Sequence, residues 1–373
     1  MQIWIGGGGT GGHVYPGLAV AHELLAEAQR TGVALEVLVV GGQGGVEERL
    51  VAREGLRFVG VSAGGLHGMA ARQAIQNGLR LLQGCWAAYR LARQERPAAL
   101  FVTGGHTSVP VAGACWLLRI PVMVYLPDIE PGHAVRFIAR LAQRVGVTVA
   151  DSRQYFPARK VVVTGYPVRA ALEGVEREAA RAALGFTSAE PVVMVLGGST
   201  GAQGLNRALG SVLEEALELA QIVHLSGDRD WEWVSERRAA LPPALQARYH
   251  IAAYMHAEAL SQAMAAADLA VCRAGASVLG ELPFFGLPAV LVPYPYAWRY
   301  QRTNADWLAA RGAAIRIDEV RLAQELTPTL RRLFGQPEAL LGMREQMRAL
   351  AQPEAAARLA AEVIGLARRG DAA

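Results

Sequence analysis

Short apolar runs alternate with longer amphipathic segments along the first half of the sequence. The runs are bounded by glycine or proline and have the continuous hydrophobic character of strands buried on both faces. They are Gln2–Ile5, Leu35–Val40, Ala99–Val102 and Val122–Tyr125. Helical periodicity covers Tyr15–Gln29 and Ala70–Gln94, which supplies the long crossovers that parallel strands require. This pattern predicts a Rossmann-like domain with a doubly wound parallel sheet.

The same alternation begins again near Pro191 and predicts a second Rossmann-like domain. A helix is expected to open around Gln203–Leu205, directly after the first apolar run of this half. The apolar runs are Val192–Leu196, Gln221–Leu225, His250–Ala252, Leu269–Val271 and Ala289–Val292.

The join between the two halves is expected near Val161–Arg169, where a strand runs into Gly165-Tyr166-Pro167 and proline favours a turn. We therefore expect a first domain over residues 1–164 and a second over 165–352. An alanine-rich helix within 353–373 is expected to pack back across the domains.

Composition agrees with a globular protein of two domains. The chain has 373 residues, of which 52% are hydrophobic and 19% charged, so it can bury large cores. Its cysteines, Cys85, Cys115 and Cys272, stand singly, which argues against a disulfide framework or a zinc site and favours a reducing compartment. We see no secretory segment at the amino terminus and no apolar stretch of bilayer-spanning length, so a soluble or peripheral protein is expected.

The charge pattern does not favour nucleic acid as a partner. The net charge is +4 and no block of Lys and Arg occurs. Arginine does recur in one predicted helix, at Arg72, Arg80, Arg90, Arg93 and Arg96. The apolar residues of that segment favour an ordinary surface helix with one core face, and a helix lying on a bilayer surface stays open as the alternative.

Three glycine-rich loops follow predicted strands. They are Gly6–His13, Gly104–Pro110 and Gly197–Ala202. Each one alone could be a tight strand-to-helix turn. Ligands of open α/β sheets bind at the carboxyl ends of the strands, so three such loops indicate a binding cleft between two facing domains.

The first loop formally contains the dinucleotide fingerprint GxGxxG, which is a weak signal by itself. That fingerprint also requires an acidic residue at the end of the second strand, and this strand ends Val39-Val40-Gly41-Gly42-Gln43. An NAD-dependent oxidoreductase is therefore a disfavoured alternative. A P-loop is excluded because no Gly-Lys-Ser/Thr follows the glycines.

Taken together, these motifs resemble the MurG family of bacterial cell-wall glycosyltransferases, and the resemblance covers nearly the whole chain. It rests on the three glycine loops and on Val14–Ala19, Gly165–Arg169, Asp268–Glu281, Gln301 and Asn304-Ala305. The family has the GT-B fold, which is α/β with two facing Rossmann-like domains, parallel sheets and an interdomain cleft. The first domain would then serve the acceptor and the membrane side, and the second the nucleotide-sugar donor.

The resemblance implies a reaction. N-acetylglucosamine would move from UDP-N-acetylglucosamine to a muramoylpentapeptide linked to undecaprenyl diphosphate, with inversion at the anomeric carbon, at the cytoplasmic face of the cell membrane. No cofactor and no metal would be needed. Asp228-Arg229-Asp230 matches a metal-binding DxD pattern, but it follows Ser226-Gly227, where turn acids are common.

The resemblance also implies site residues. Donor contacts would come from Thr10, Gly11, Gly12, Arg169, Ser199, Met255, Ala276, Ser277, Val278, Leu279, Gly280, Glu281 and Gln301. Acceptor contacts would come from His106, Thr107, Ser108 and Asp128. A helix opening after Gly275 would aim its N–H groups at the diphosphate, Met255 backbone would read uracil, and Glu281 would accept hydrogen bonds from ribose.

An acceptor hydroxyl loses a proton as it attacks the sugar, and histidine suits that task near neutral pH. His13 is the leading candidate for the base, His106 the next, and Asp128 a further one. The sequence departs from the family where Tyr125-Leu126-Pro127-Asp128 replaces His-Glu-Gln-Asn, and also at Thr200, Gly280 and Tyr300. A divergent family member with another acceptor or nucleotide sugar, and a non-catalytic binder of nucleotide sugars or lipid headgroups, therefore remain alternatives.

Overall fold

A computed structural model describes residues 1–8, 11–61, 71–169, 174–186, 190–198, 201–296 and 300–371, and for residues 71–82 it describes the backbone alone. The chain forms two compact units. The first domain comprises Met1–Arg169 together with Gln352–Ala373, and the second comprises Ala170–Ala351. The carboxyl-terminal segment thus belongs to the first domain.

In the first domain, the described residues form a parallel sheet of seven strands in the order β3-β2-β1-β4-β5-β6-β7. The strands are β1 Gln2–Gly6, β2 Glu36–Gly42, β3 Arg57–Val61, β4 Ala99–Val102, β5 Val122–Leu126, β6 Arg144–Val147 and β7 Val161–Val163. The helices between them are α1 Gly11–Thr31, α2 Val46–Arg53, α3 Ala71–Glu95, α4 Ser108–Leu117 and α5 His133–Leu141. The strand order reverses between β1 and β4, so the loops that follow these two strands share one edge of the sheet.

The second domain has a parallel sheet of six strands among its described residues, in the order β10-β9-β8-β11-β12-β13. The strands are β8 Val192–Leu196, β9 Gln221–Leu225, β10 Tyr249–Ala252, β11 Leu269–Cys272, β12 Ala289–Leu291 and β13 Ala314–Arg316. The helices are α6 Arg177–Ala183, α7 Gln203–Ser211, α8 Leu213–Leu219, α9 Trp231–Ala239, α10 Pro243–Gln246, α11 Ala257–Ala266, α12 Glu281–Phe285, α13 Tyr300–Ala310, α14 Leu322–Gly335 and α15 Pro337–Ala349. The last helix, α16 Ala355–Asp371, lies in the first domain.

Strand β1 shows why these strands read as continuous apolar runs. Side chains of a strand alternate between the two faces of its sheet. Trp4 is fully buried in a cluster with Leu100, whereas Ile3 and Ile5 are buried on the other face. Helix α16 covers that second face, where Leu359 packs in the same cluster as Ile3. Both faces are therefore covered, and every position of the strand after Gln2 is buried.

The predicted strands are present, with ends that differ by at most two residues, as for Leu35–Val40, which is Glu36–Gly42 in the structure. The sequence did not predict β3, β6 or β13. Each of these is short or carries arginine and glycine among its apolar residues, as in Arg57-Phe58-Val59-Gly60-Val61, so its hydrophobic run is interrupted. Their positions are set by pairing with the neighbouring strand, which local pattern does not reveal.

Two helix boundaries differ from expectation. Helix α1 begins at Gly11 and not at Tyr15, so the end of the glycine loop forms its first turn. The stretch after Gly275 is a 3-10 turn over Ala276–Leu279, and α12 begins only at Glu281. Gly280 separates the two with φ −127° and ψ −52°, which is outside the α-helical region. None of the helices in the described ranges is both long and apolar enough to cross a membrane.

Candidate active site

The β1–α1 loop of the first domain is packed closely against its neighbours. A Cβ atom at Gly7 would overlap the Thr103 hydroxyl, and one at Gly8 would come within 2.6 Å of Oγ1 of Thr107. Gly105 has φ +83°, and a Cβ there would overlap the carbonyl oxygen of Gly8. These glycines let the loops after β1 and β4 touch through their backbones, where any larger residue would separate them.

His13 lies in the first turn of α1 and is tied to the loop after β4. Its Nδ1 is 2.8 Å from the carbonyl oxygen of Thr103, and the Thr103 hydroxyl donates to the carbonyl oxygen of His13 at 2.5 Å. A carbonyl oxygen only accepts, so Nδ1 carries the hydrogen and the neutral ring has its lone pair on Nε2. The ring is half-buried, and its hydrogen bond to the Thr103 carbonyl holds it in one tautomer, while the Thr103 hydroxyl fixes the backbone of His13.

The three predicted acceptor residues of the second glycine loop differ in their solvent exposure. His106 is exposed, whereas Thr107 and Ser108 are buried. The Ser108 hydroxyl donates to the carbonyl oxygen of Gly104 at 2.6 Å. Oγ1 of Thr107 is buried and has no hydrogen-bond partner among the residues that the structure describes. A buried hydroxyl without a partner loses its hydration, which favours a ligand that supplies one.

Sequence reasoning missed Glu47, a buried carboxylate at this sheet edge. Its side chain is 2% exposed, and Oε1 accepts a hydrogen bond from the backbone N–H of Gly42 at 3.0 Å. A Cβ at Gly8 would overlap the same oxygen. A carboxylate therefore does stand at the end of β2, but it comes from the first turn of α2 and is engaged by the loop backbone. An acidic residue two positions after the segment Gly41–Gly45 was the available signal.

Asp128 follows β5 and is half-buried. Burial raises the pKa of the neighbouring Tyr125 well above its ordinary value, and the negative charge of Asp128 adds to that increase. The Tyr125 hydroxyl lies 2.7 Å from Oγ1 of Thr148 and donates to the carbonyl oxygen of Gly165 at 3.0 Å. Tyr125, which replaces a histidine of the family pattern, is thus fully buried and connects β5 to the strand-to-loop junction at Gly165.

Arg169 belongs to the first domain and stacks on helix α1. Its guanidinium carbon is 4.2 Å from the centre of the Tyr15 ring, which is close for a cation–π contact. Gly165 has φ +88°, and a Cβ there would overlap the side chain of Gln352. The segment between β7 and Arg169 is therefore fixed to α1 and to the chain that leads into α16.

The third glycine loop follows β8, the first strand of the second domain. Gly201 has φ +75°, and a Cβ there would approach the carbonyl oxygen of Ser226 to 2.6 Å. The loop after β8 thus lies against the loop after β9. Two of the predicted donor residues, Thr10 and Ser199, lie outside the described residues. So does Thr200, one of the departures from the family pattern.

Asp230 of the DxD sequence takes part in a buried hydrogen-bond chain. Nδ2 of Asn206 donates to Asp230 at 2.6 Å and to the carbonyl oxygen of Ser226 at 2.8 Å. Oδ1 of Asn206 is 2.9 Å from Nε2 of His224, and Nδ1 of His224 is 2.6 Å from the Tyr249 hydroxyl. Burial lowers the pKa of His224 to about 4. Asp228–Asp230 form a 3-10 turn.

Glu281 begins α12 and is 8% exposed. Burial raises the pKa of Cys272, at the end of β11, to about 12, and the negative charge of Glu281 contributes. The thiol and the carboxylate are therefore neighbours at the carboxyl edge of the sheet. In the 3-10 turn before Glu281, the N–H of Val278 bonds to Gly275 and that of Gly280 to Ser277, which leaves the N–H groups of Ala276 and Ser277 at its start.

The remaining predicted donor residues surround this edge. Oε1 of Gln301 accepts from the backbone N–H of Tyr294 at 2.9 Å, so its amide NH₂ is the group directed elsewhere. Nδ2 of the buried Asn304 donates to the carbonyl oxygen of Ala274 at 3.1 Å and supports the loop after β11. Arg273 in that loop is paired with Glu319 and donates to the carbonyl oxygen of Val292 at 3.2 Å. Met255 is half-buried between β10 and α11.

Both domains match a known family along most of their length. The profile of the glycosyltransferase family 28 N-terminal domain matches residues 3–147. That of the glycosyltransferase family 28 C-terminal domain matches residues 192–360. The fold and the loops at the carboxyl edges of both sheets thus define a glycosyltransferase of the α/β GT-B class.

Relatives that match over nearly their full length identify the family more closely. A protein of Roseiflexus sp. (strain RS-1) is 40% identical over 96% of this chain and 94% of its own length. One of Desulforudis audaxviator (strain MP104C) is 34% identical, with 95% of each chain covered. Both are named UDP-N-acetylglucosamine--N-acetylmuramyl-(pentapeptide) pyrophosphoryl-undecaprenol N-acetylglucosamine transferase. The crystal structure of Acinetobacter baumannii MurG matches with a TM-score of 0.73 and 26% identity, covering 98% of this chain and 99% of that one. The chain belongs to the MurG family.

Proposed function

We propose that this protein transfers N-acetylglucosamine from UDP-N-acetylglucosamine to N-acetylmuramyl-(pentapeptide) pyrophosphoryl-undecaprenol, with His13 as the general base. The reaction is that for which its relatives are named. The observation that carries the catalytic assignment is the contact between Nδ1 of His13 and the Thr103 carbonyl, because it leaves Nε2 as the proton acceptor.

The chemistry is a single displacement at the anomeric carbon. The acceptor hydroxyl forms the new C–O bond while its proton passes to Nε2 of His13, and the bond from the anomeric carbon to the UDP oxygen breaks. The configuration of the sugar is inverted because attack and departure take place on opposite faces. A positioned base of this kind contributes about 10²–10⁴-fold to the rate.

In this proposal the second domain binds the donor. Glu281 accepts from the ribose hydroxyls, the N–H groups of Ala276 and Ser277 face the diphosphate, the backbone of Met255 reads the uracil, and the amide of Gln301 contacts the sugar. Val278, Leu279 and Gly280 form the rest of the turn that directs the N–H groups of Ala276 and Ser277. Ser199 supplies a further contact from the same domain, and the donor contacts of Thr10, Gly11, Gly12 and Arg169, which belong to the first domain, rest on the family resemblance alone. Backbone N–H groups stabilise the departing diphosphate, so no metal is required.

The acceptor would be bound by His106, Thr107, Ser108 and Asp128 of the first domain. Thr107 fits this role because its buried hydroxyl lacks a partner within the described part of the chain. Asp128 accepts hydrogen bonds but does not donate them when ionised, so it selects for donor groups on the acceptor. Tyr125 is fully buried and Asp128 is only half-buried, so of these two departures from the family pattern Asp128 is the one that can contact an acceptor.

We also propose that the first domain binds the cytoplasmic face of the membrane peripherally. Trp86 of α3 is 67% exposed, and Trp116 and Leu117 at the end of the neighbouring helix α4 are 50% and 64% exposed. Arg90 and Arg93 are exposed on α3. Exposed tryptophans beside arginines are typical of surfaces that lie in a headgroup layer.

The test is an assay with UDP-N-acetylglucosamine and the undecaprenyl-linked muramoylpentapeptide, with product analysed by mass and by the configuration of its new linkage. We expect a β-linked disaccharide lipid and full turnover in excess EDTA. Turnover that requires added magnesium or manganese would contradict the metal-independent mechanism. Turnover only with another acceptor or nucleotide sugar would favour the divergent family member, and release of no sugar at all would favour a binding protein.

A further inference from the structure

A polar cavity lies in the second domain, away from the glycine loop that follows β8. Its volume is about 240 Å³. The residues that define its character are Glu176, Arg177, Phe284, Phe285, Arg344 and Arg348. Arg177 donates to the carbonyl oxygen of Ala267, just before β11 begins. The cavity therefore adjoins the amino end of β11, whereas Glu281 and the turn before it follow the carboxyl end of the same strand.

One carboxylate is shared by three arginines beside this cavity. Asp268 forms ion pairs with Arg177, Arg181 and Arg344, and it also accepts from the backbone N–H of Val192 at 2.9 Å. Arg348 lines the cavity as a fourth guanidinium, and Glu176 is the other carboxylate there. Four guanidinium groups thus face two carboxylates, so the region carries an excess of two positive charges.

The side chain of Arg344 is only 15% exposed. Its positive charge is nevertheless poorly compensated by neighbouring groups. Its Nη2 lies 3.5 Å from both the carbonyl oxygen and Oδ1 of Asp268, and the described residues give it no other hydrogen bond. Burial lowers the pKa of Arg344, and the positive charge of Arg177 and Arg348 lowers it further. A guanidinium in this situation has N–H groups to offer to an anion.

Arg348 is placed to act with Arg344. The two residues are four apart on α15, so their side chains lie on one face of the helix, where like charges are unfavourable without an anion. The stem of Arg348 packs over Gly286, which has φ +57°. Its side chain is exposed, and its guanidinium makes no hydrogen bond or ion pair with any residue in the described ranges.

We propose that this cavity is an anion site that binds a phosphate-bearing small molecule of about the size of inorganic diphosphate. Guanidinium groups match phosphate oxygens in shape and charge, and two of them on one helix face suit two phosphoryl groups. The volume is below the roughly 300–1,000 Å³ of sites for drug-sized ligands. Phe284 and Phe285, whose rings meet edge to face with centroids 5.3 Å apart, form its apolar wall.

This site is distinct from the proposed donor site. Nucleotides bind open α/β sheets at the carboxyl edge, and the arginine cluster adjoins the opposite end of β11. A ligand here would therefore bind together with UDP and not in competition with it. This independence also separates the two proposals, because the anion site can be tested whatever the enzyme's acceptor is.

The test is titration of the full-length protein with inorganic diphosphate in saturating UDP, followed by calorimetry, with inorganic phosphate as a second probe. We expect diphosphate to bind, phosphate to bind more weakly, and Arg344→Met/Arg348→Met to weaken diphosphate binding at least about tenfold, the effect of losing one charge-assisted hydrogen bond. Arg331→Met, an exposed arginine on α14, should bind as the unaltered protein does.

Circular dichroism would check that the variants are folded. If the double variant does not fold, Arg348→Met alone provides the test, because that guanidinium has no partner in the described structure, and a several-fold weaker affinity is expected. No binding of diphosphate to the unaltered protein would overturn the proposal. So would displacement of diphosphate by UDP, or equal affinity in the folded arginine variants.

Discussion

The imidazole of His13 is held by Thr103 through its Nδ1, at 2.8 Å from the threonine's carbonyl oxygen. The two residues lie on different strand-to-helix connections, after β1 and after β4, and these strands are neighbours in the sheet. The contact fixes the tautomer of the ring, so the fold itself determines which nitrogen is able to receive a proton.

Replacing His13 with alanine should lower turnover by about 10²–10⁴-fold and leave the affinity for UDP nearly unchanged, because the base acts on the acceptor hydroxyl. Steady-state kinetics and calorimetry with UDP measure the two quantities. His106→Ala is the matched comparison in the second loop. Turnover that survives His13→Ala would assign this residue to loop structure and make His106 the next candidate for the base.

The Asp128→Asn variant should retain UDP binding and change acceptor use. An asparagine both donates and accepts hydrogen bonds, so a preference toward the standard muramoylpentapeptide lipid is expected if Asp128 sets specificity. If Asp128 is instead a base, turnover falls and the acidic limb of the pH profile flattens. Acceptor kinetics that are unchanged at every pH would place Asp128 outside the site.

Glu281→Ala should weaken UDP binding by about 1.5–3 kcal/mol, since a ribose hydroxyl pair would lose a charged acceptor in a buried position. Calorimetry with UDP measures this loss, and UMP, which keeps the ribose, should be affected equally. Glu338→Ala, at an exposed position of α15, is a suitable control. An unchanged affinity would remove Glu281 from the donor site.

Glu47 and Glu48 offer a matched pair for the first loop. Both accept a backbone N–H, Glu47 from Gly42 at 3.0 Å and Glu48 from Gly44 at 2.9 Å, but only Glu47 is buried. Glu47→Ala should therefore reduce the free energy of unfolding by about 1.5–3 kcal/mol, and Glu48→Ala by much less. Denaturant unfolding of the first-domain signal measures both. Equal losses would show that the buried carboxylate does not hold the loop.

His224 gives the second domain a dependence on pH. Its pKa is about 4 in the folded protein and about 6.5 when unfolded, so between these values the unfolded state binds the additional proton. Stability should therefore be lost as the pH falls from about 6.5 toward 4, by up to about 3 kcal/mol. His224→Gln should flatten this dependence, and His256→Gln, at an exposed position, should not. The same slope in both variants would refute the assignment.

Much of the architecture was predictable because parallel strands buried on both faces leave a distinctive sequence pattern. The apolar runs Gln2–Ile5 and Val192–Leu196 predicted strands from local sequence alone, and glycine runs marked the loops that follow them. Strands β3 and β13 were not predicted because their apolar runs are short or interrupted. Asp128, Glu281 and Gln301 were selected by resemblance to a family, and their roles await the experiments above.

The sequence by itself determined the fold class, the family and the loops that carry the chemistry, because local hydrophobic pattern and ordered motifs are properties of contiguous residues. The tertiary structure decided which atoms are available. It brought the Thr103 carbonyl oxygen within hydrogen-bond distance of Nδ1 of His13, and it buried the Glu47 carboxylate next to the backbone N–H of Gly42. It also gathered Arg177 and Arg344 around Asp268. Such contacts join residues distant in the chain, so burial and hydrogen-bond direction arise only when the sheets are assembled.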